Sequence, residues 1–348
     1  MKIIKYLFFL LLLLIIGGAV FIATKDGAYE VEESYIMEVP NELAFNTIND
    51  YKTWEHWGPW MESDPEMNIT YAEKTEGEGA SYRWESSSEG DGSMKTIKTA
   101  PFNTIEQNIE FITPFGESKS DVYWKLEPID NQKTKVIWGM RGEQSFMEKA
   151  YWATQDSTLS QTIKPMYKKG LQNLEAHIKE QMKVYSVKVF GKAEHGGGFY
   201  MYSATASSIA AMPTKMEEMF PVVQSYVQNN NLPQTGMPFT IYNEFNPELG
   251  TAIYSTAIPV RDRVVTPADS NVLCDFLPRQ KIVKVVLKGD YTNLKEAWEA
   301  GYKFMEENGL QADPTNVPFE IYQVGLPLEP NPAEWLTEVC IPYQEIDI

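Results

Sequence analysis

Apolar and polar positions divide the chain into three regimes. Tyr6 to Ala23 carries no charge and is rich in Leu, Ile and Phe. As a helix it would span about 27 Å, close to the hydrocarbon thickness of a bilayer. From Glu30 to Val39 the pattern alternates as a strand does, and Pro40-Asn41-Glu42 opens a short helix with apolar Leu43, Phe45 and Ile48. Alternating runs at 80–86, 93–99, 104–112, 118–127 and 134–141 predict an antiparallel meander, with turns at Glu76-Gly77-Glu78-Gly79, Glu89-Gly90-Asp91-Gly92 and Asp130-Asn131. Ile163, Met166, Tyr167, Leu171, Leu174 and Ile178 then follow i, i+3, i+4 spacing and predict a long amphipathic helix. A further strand, Val184 to Phe190, precedes the break at Gly196-Gly197-Gly198.

The third regime is written twice. Met237-Pro238-Phe239-Thr240-Ile241-Tyr242 returns as Val317-Pro318-Phe319-Glu320-Ile321-Tyr322. The helical run from Thr214 to Leu232 aligns without a gap to Thr292 to Leu310, and Ser255-Thr256-Ala257-Ile258-Pro259 answers Glu338-Val339-Cys340-Ile341-Pro342. The offset drifts from 78 (Thr214 to Thr292) to 80 (Phe239 to Phe319) to 83 (Ser255 to Glu338). Such drift belongs to loops, which tolerate insertions where packed elements do not. Two β-α-β-β units at about 199–260 and 280–343 are therefore expected side by side. The predicted class is α+β: an N-terminal transmembrane helix (1–24), an antiparallel sheet with a long C-terminal helix (29–181), and a duplicated β-α-β-β domain (184–343).

Composition adds exclusions. A formal net charge of −18 argues against nucleic acid as a partner, because phosphate binding needs a basic face. Cys274 and Cys340 have no partner spacing and are expected as free thiols. His56, His177 and His195 are too scattered for a local metal site, and neither cofactor nor metal is expected. Lys2 and Lys5 before the apolar span, and Asp26, Glu30, Glu32 and Glu33 after it, predict a cytoplasmic N-terminus with the bulk of the chain outside. A cleaved signal peptide is the rival reading, though 19–23 offers no small-x-small site.

Two family resemblances follow. The loop Asp50-Tyr51-Lys52-Thr53-Trp54-Glu55-His56-Trp57-Gly58-Pro59-Trp60 is the first feature. With Gly79-Ala80-Ser81-Tyr82-Arg83-Trp84, Lys135-Val136-Ile137-Trp138-Gly139-Met140 and Gly170-Leu171-Gln172-Asn173-Leu174, it resembles the SRPBCC superfamily of START-like, polyketide-cyclase-like helix-grip proteins. This resemblance implies an apolar cavity for a hydrophobic ligand; a core filled by Trp54, Trp57, Trp60, Trp84 and Trp138 is the alternative. Over roughly 184–343, Pro-Phe-x-Ile-Tyr, the duplicated unit and Trp335-Leu336-Thr337-Glu338-Val339-Cys340-Ile341-Pro342 resemble the GyrI-like family, the effector-binding domain of bacterial transcription activators. It implies an amphipathic, often cationic small molecule held between the two halves, with a glutamate of the final strand, here Glu338, as its polar anchor. No helix-turn-helix pattern is read in these residues.

The candidate ligand-binding residues are Glu338, Tyr242, Tyr254, Tyr322, Trp335 and Trp298. In the first copy Ser255 stands where the second has Glu338, so folding of the duplicated unit does not require an acid there. Aromatic rings near such a groove would stack on a flat or cationic ligand. The leading expectation is a membrane-anchored small-molecule-binding protein. The alternatives are a hydrolase of electrophilic xenobiotics, with Glu338 as catalytic candidate beside a tyrosine, and a non-catalytic scaffold.

Overall fold

The computed structural model describes residues 2–113, 116–326 and 328–345. The chain divides into two compact units, Met1–Glu180 and Gln181–Ile348.

The first unit opens with α1 (Lys2–Ala23), a helix long and apolar enough to cross a membrane, its side chains almost all exposed. β1 (Ala28–Met37), α2 (Asn41–Asn49), a 3-10 turn at Tyr51–His56 and α3 (Trp60–Ser63) follow. Then come β2 (Asn68–Tyr71), β3 (Ser81–Glu85), β4 (Asp91–Ala100), β5 (Thr104–Thr113), β6 (Gly116–Asp130) and β7 (Lys133–Glu143). All pairs are antiparallel, in the order β1-β7-β6-β5-β4-β3-β2. Sequence reading missed β2 because four residues show too little alternation to register. It also missed α4 (Phe146–Trp152), which a Ser145/Glu148 capping box starts.

α5 (Leu159–Met182) buries Ile163, Tyr167, Gly170, Leu171, Leu174 and Ile178, the stripe its spacing predicts. Gly170 permits a close approach: a Cβ there would meet the Trp138 ring at 2.7 Å. Trp138 stacks on Tyr167 of the helix at 3.9 Å and on Trp124 at 4.4 Å. Trp54, Trp57 and Trp124 are almost fully buried, and Trp60 packs against Trp54. Indole rings line the space between sheet and helix, where the resemblance implied an apolar cavity. Trp54 donates to Ile48 O (2.8 Å) and Trp124 to Gln107 Oε1 (3.0 Å), whereas the buried Trp138 N–H has no hydrogen-bond partner among the described residues. Each such ring buries on the order of 150–250 Å², so the tryptophans belong to the core.

The second unit contains β8 (Ser186–His195), β9 (Gly198–Ser208), α6 (Met212–Asn229), β10 (Phe239–Asn246), β11 (Thr251–Val260), β12 (Leu273–Leu277) and β13 (Gln280–Lys288). It is completed by α7 (Leu294–Glu307), β14 (Leu310–Ala312), β15 (Phe319–Val324) and β16 (Leu336–Glu345). The main path runs β12-β9-β11-β10-β15-β16-β13-β8, with β14 paired to β16. Two halves are visible in it, β9-β11-β10 and β15-β16-β13, each returning through one helix.

Connectivity forces this sheet to roll up. β8 and β9 lie six strand spacings apart along the path, about 29 Å if flat. Only Gly196 and Gly197 join them, a reach of about 11 Å. The β12–β13 link, Pro278-Arg279, is equally short. The two crossovers touch: Gly197 has φ +72°, and a Cβ there would collide with the Leu277 carbonyl. The rolled sheet encloses Tyr200, Phe239, Ile241, Ala257, Leu277, Ile282, Phe319 and Cys340. Its outer face packs on the helices, Val223 and Val227 of α6 over Met201 and Ile258, and Ala297 and Met305 of α7 over Val283, Val285, Val339 and Ile341.

Candidate functional site

The two halves meet where β10 pairs with β15. Thr240 lies opposite Glu320, flanked by Phe239 opposite Ile321 and Ile241 opposite Phe319. These are equivalent strands of the two copies, so a local pseudo-twofold passes between Thr240 and Glu320. The backbone obeys it: Tyr242 N donates to Pro318 O and Tyr322 N to Pro238 O, both at 3.0 Å. So do the rings. Phe220 of α6 meets Tyr322, and Trp298 of α7 meets Tyr242, both edge-on with centroids 5.6 Å apart.

Glu320 breaks the symmetry. Alternation on β15 turns it and Tyr322 toward the helices, and only 1% of it is exposed. Trp298 Nε1 donates to its Oε1 at 2.6 Å, Tyr322 OH donates to its Oε2 at 2.9 Å, and Tyr242 adds a third hydrogen bond. The Tyr322 oxygen also lies 3.1 Å from Thr240 Oγ1. Burial raises the carboxyl pKa above its ordinary value, and the Trp298, Tyr242 and Tyr322 hydrogen bonds pull against that rise. Among the described residues no basic side chain pairs with it. A carboxylate with three neutral donors and no cation is poised to accept a positive charge from outside. The tyrosines answer in kind: burial, then the charge of Glu320, holds both Tyr242 and Tyr322 well above the usual phenol range.

Further rings extend the wall. Tyr291 packs on Tyr322 (5.5 Å) and on Trp335 (4.6 Å), and Trp298 stacks with half-exposed Tyr302 (6.1 Å). Burial pushes the Tyr291 hydroxyl up to about 12. Tyr242, Tyr322 and Trp298 are each partly buried, so the cluster is an aromatic surface that still meets solvent, with the acid beneath it.

Of the residues singled out from sequence, Tyr242, Tyr322 and Trp298 converge on this carboxylate. Trp335 stands one ring further out, its indole N–H tied to Glu329 O at 2.8 Å. Tyr254 is fully buried beside Met212 and Ala252 and serves the core. Glu338 lies elsewhere. It pairs with Lys284 at 2.7 Å on the inner face of the rolled sheet, beside a cavity of about 430 Å³. Glu320 and Tyr291 went unnoticed. The signal for Glu320 lay in the repeat itself: the variable position of Pro-Phe-x-Ile-Tyr is Thr in one copy and Glu in the other, inside an otherwise apolar strand.

Comparison with known proteins places a family on this unit. Residues 199–344 match the GyrI-like small molecule binding domain. Among solved structures, the EcmrR C-terminal domain is similar at 20% identity and TM-score 0.40, covering 47% of this chain and 99% of that one. The Aha1 dimer from Colwellia psychrerythraea is similar at 13% identity and TM-score 0.31, covering 42% of this chain and 93% of that one. A search of curated proteins returned no match.

Proposed function

We propose that the second unit binds a cationic, amphipathic small molecule, with the positive charge on Glu320 and the apolar body against Tyr242, Tyr322, Trp298 and Tyr291. The observation that carries this reading is the buried, cation-free carboxylate ringed by aromatic edges and faces. The match of residues 199–344 to a small-molecule-binding family supports it. A cation entering the cluster gains the charge pair and about 0.5–2 kcal/mol per cation–π contact. A neutral analogue gains neither.

Tethering through α1, with the N-terminus cytoplasmic and both units outside, completes the proposal and rests on the charge pattern around that helix. The test is titration of the detergent-solubilised chain with tetraphenylphosphonium, followed by quenching of tryptophan fluorescence. Saturable binding that drops about 100-fold in Glu320→Gln is expected. Equal affinity in the two proteins would overturn the assignment of Glu320.

A second reading is favoured by one feature, the Tyr322 hydroxyl 2.9 Å from a carboxyl of raised pKa. Such a pair suits base and proton-donor roles in hydrolysis of a strained electrophile. Turnover of an epoxide or cyclopropane substrate that vanishes in both Glu320→Gln and Tyr322→Phe would establish it.

A further inference from the structure

The apolar side chains of α4 face away from the unit that carries them. With about 100° between successive residues, Phe146, Ala150, Met147 and Tyr151 share one arc of about 140°. Such a stripe ordinarily packs on a core. Here no residue of the helix is buried, and Phe146, Met147 and Tyr151 are each between 42% and 46% exposed. Its charged side chains make the attachments instead. Glu148 accepts from Ser145 N at 2.7 Å in the capping box and from the side chain of Ser118 on β6. Lys149 Nζ donates to Lys25 O at 2.9 Å. Partly buried Trp152 stands edge-on to Tyr151 at 5.3 Å.

Beside this helix lies the end of α1. The apolar run of α1 stops at Ala23, and Lys25, the acceptor for Lys149, follows two residues later. Gln144 N donates to Gly27 O at 2.8 Å, and α1 and α4 pack on each other directly. With α1 across a bilayer, Lys25 stands at the headgroup level, and α4 is held at the same level. That is the depth where tyrosine and tryptophan concentrate and where an interfacial helix seats its apolar face. Residues 24–27 and 145–153 carry Lys25, Asp26, Glu148 and Lys149, with no net charge. Lipid would therefore be engaged by apolar and aromatic insertion rather than through its charge.

We propose that the face of α4 formed by Phe146, Met147, Ala150 and Tyr151 lies in the polar–apolar boundary of the bilayer that α1 crosses. The proposal rests on the reading of α1 as a tether and adds an orientation, which a span alone does not fix. A docked α4 turns the end of the sheet that carries Ala28 and Glu143 toward lipid, and the β6–β7 turn away from it.

The full chain carrying Cys274→Ser, with buried Cys340 left in place, is reconstituted into phosphatidylcholine vesicles. A nitroxide is attached in turn to Leu13→Cys in α1, Met147→Cys in α4 and Asn131→Cys in the β6–β7 turn, about 33 Å from the α4 end of β7. Collision with oxygen, relative to collision with a water-soluble nickel chelate, reports the depth of each label. That ratio should be about tenfold higher at 13 than at 131, and at least about threefold higher at 147 than at 131. Phe146→Gln with Tyr151→Gln, which alters no buried side chain, should return the ratio at 147 to that at 131 and leave 13 unchanged. A label at 147 as open to nickel as that at 131, with 13 in lipid, overturns the docking and spares the tether. Nickel access at 13 overturns the tether reading, and the docking with it. A label at 147 shielded from both reagents means that protein covers the face, a second copy where excess lipid frees it, and overturns the lipid assignment.

Discussion

The two halves of the second unit are alike in what folds them and unlike in what is chemically expensive. Each contributes a Pro-Phe-x-Ile-Tyr strand, a helix ring against the other's tyrosine at 5.6 Å, and a reciprocal backbone hydrogen bond at 3.0 Å. The differences fall elsewhere: Thr240 against Glu320, Phe220 against Trp298, Ser255 against Glu338. In every pair the second half holds the more polar or more hydrogen-bonding side chain. The first half therefore serves as an internal control for what the architecture alone requires. It requires the aromatic and aliphatic positions, and it does not require the acids.

The strongest way to probe the shared part is at its most buried rings. Phe239 and Phe319 are 5% and 0% exposed and pack into one inner core. Phe239→Ala and Phe319→Ala should each cost about 3–5 kcal/mol, read by chemical denaturation of the full chain. Near-equal losses are expected; a loss confined to one half would show that the copies are not structurally equivalent.

The unlike part breaks differently. Glu320→Thr copies the first half's residue into the second and makes the strand pair symmetric. Affinity for a tetraphenylphosphonium probe should fall about 100-fold, equivalent to roughly 2.8 kcal/mol. Folding stability should change little, since removal of a buried charge with no cationic partner is offset by the hydrogen bonds from Trp298, Tyr242 and Tyr322 that Glu320 no longer accepts.

Much of this architecture is legible in the residues. The α5 stripe from Ile163 to Ile178 and the repeated Pro-Phe-x-Ile-Tyr speak through periodicity and duplication, which depend on local spacing alone. The rolled sheet is not legible in that way. It follows from which strands pair, and pairings such as β8 with β13 join residues about 90 positions apart. The chemistry suffered most from that gap. Glu338 and Glu320 both sit on strands of the second copy at positions where the first copy has a neutral residue, so sequence asymmetry marks both. What separates them is Lys284, paired across β13 and β16 and silent in the primary sequence as a partner. Only three-dimensional placement shows one acid paired with a lysine and the other, among the described residues, without a cationic partner. In the first unit, likewise, the sequence announces tryptophans, while the 3.9 Å stack of Trp138 on Tyr167 shows that sheet and helix meet through them.

A subtler version of the comparison replaces Trp298 by its counterpart in the first half. Trp298→Phe preserves the edge-on ring contact and deletes the 2.6 Å hydrogen bond to Glu320. Hydrogen bonds to charged groups contribute about 1.5–3 kcal/mol, and rearrangement of Tyr242 and Tyr322 will recover some of it. A net loss of about 1 kcal/mol in stability is expected on the alkaline side of the carboxyl's titration in the folded chain, where it is ionised. On the acid side of that titration the loss should shrink, because a neutral acid accepts a weaker bond. A loss independent of pH would mean that the indole acts through packing alone.

The smallest effect is also the most specific, because it reads one proton. Burial holds the folded-state pKa of Glu320 above the value of about 4.3 for an unfolded glutamate. For a group shifted upward, its stabilising contribution is complete below the unfolded value and is lost as pH rises through the folded value. The first half has Thr240 at this place and contributes no such slope. Melting temperature measured from pH 4 to pH 8 should therefore decline in the natural chain relative to Glu320→Gln, whose amide stands in for the protonated acid. The two curves should nearly coincide at the acid end and separate upward, with the variant the more stable. Saturating tetraphenylphosphonium should reverse the order at pH 8, since the ligand supplies the missing positive charge to the natural chain alone. Curves that stay parallel, with and without the cation, would mean that Glu320 keeps one protonation state throughout and that the asymmetry between the halves has no electrostatic consequence.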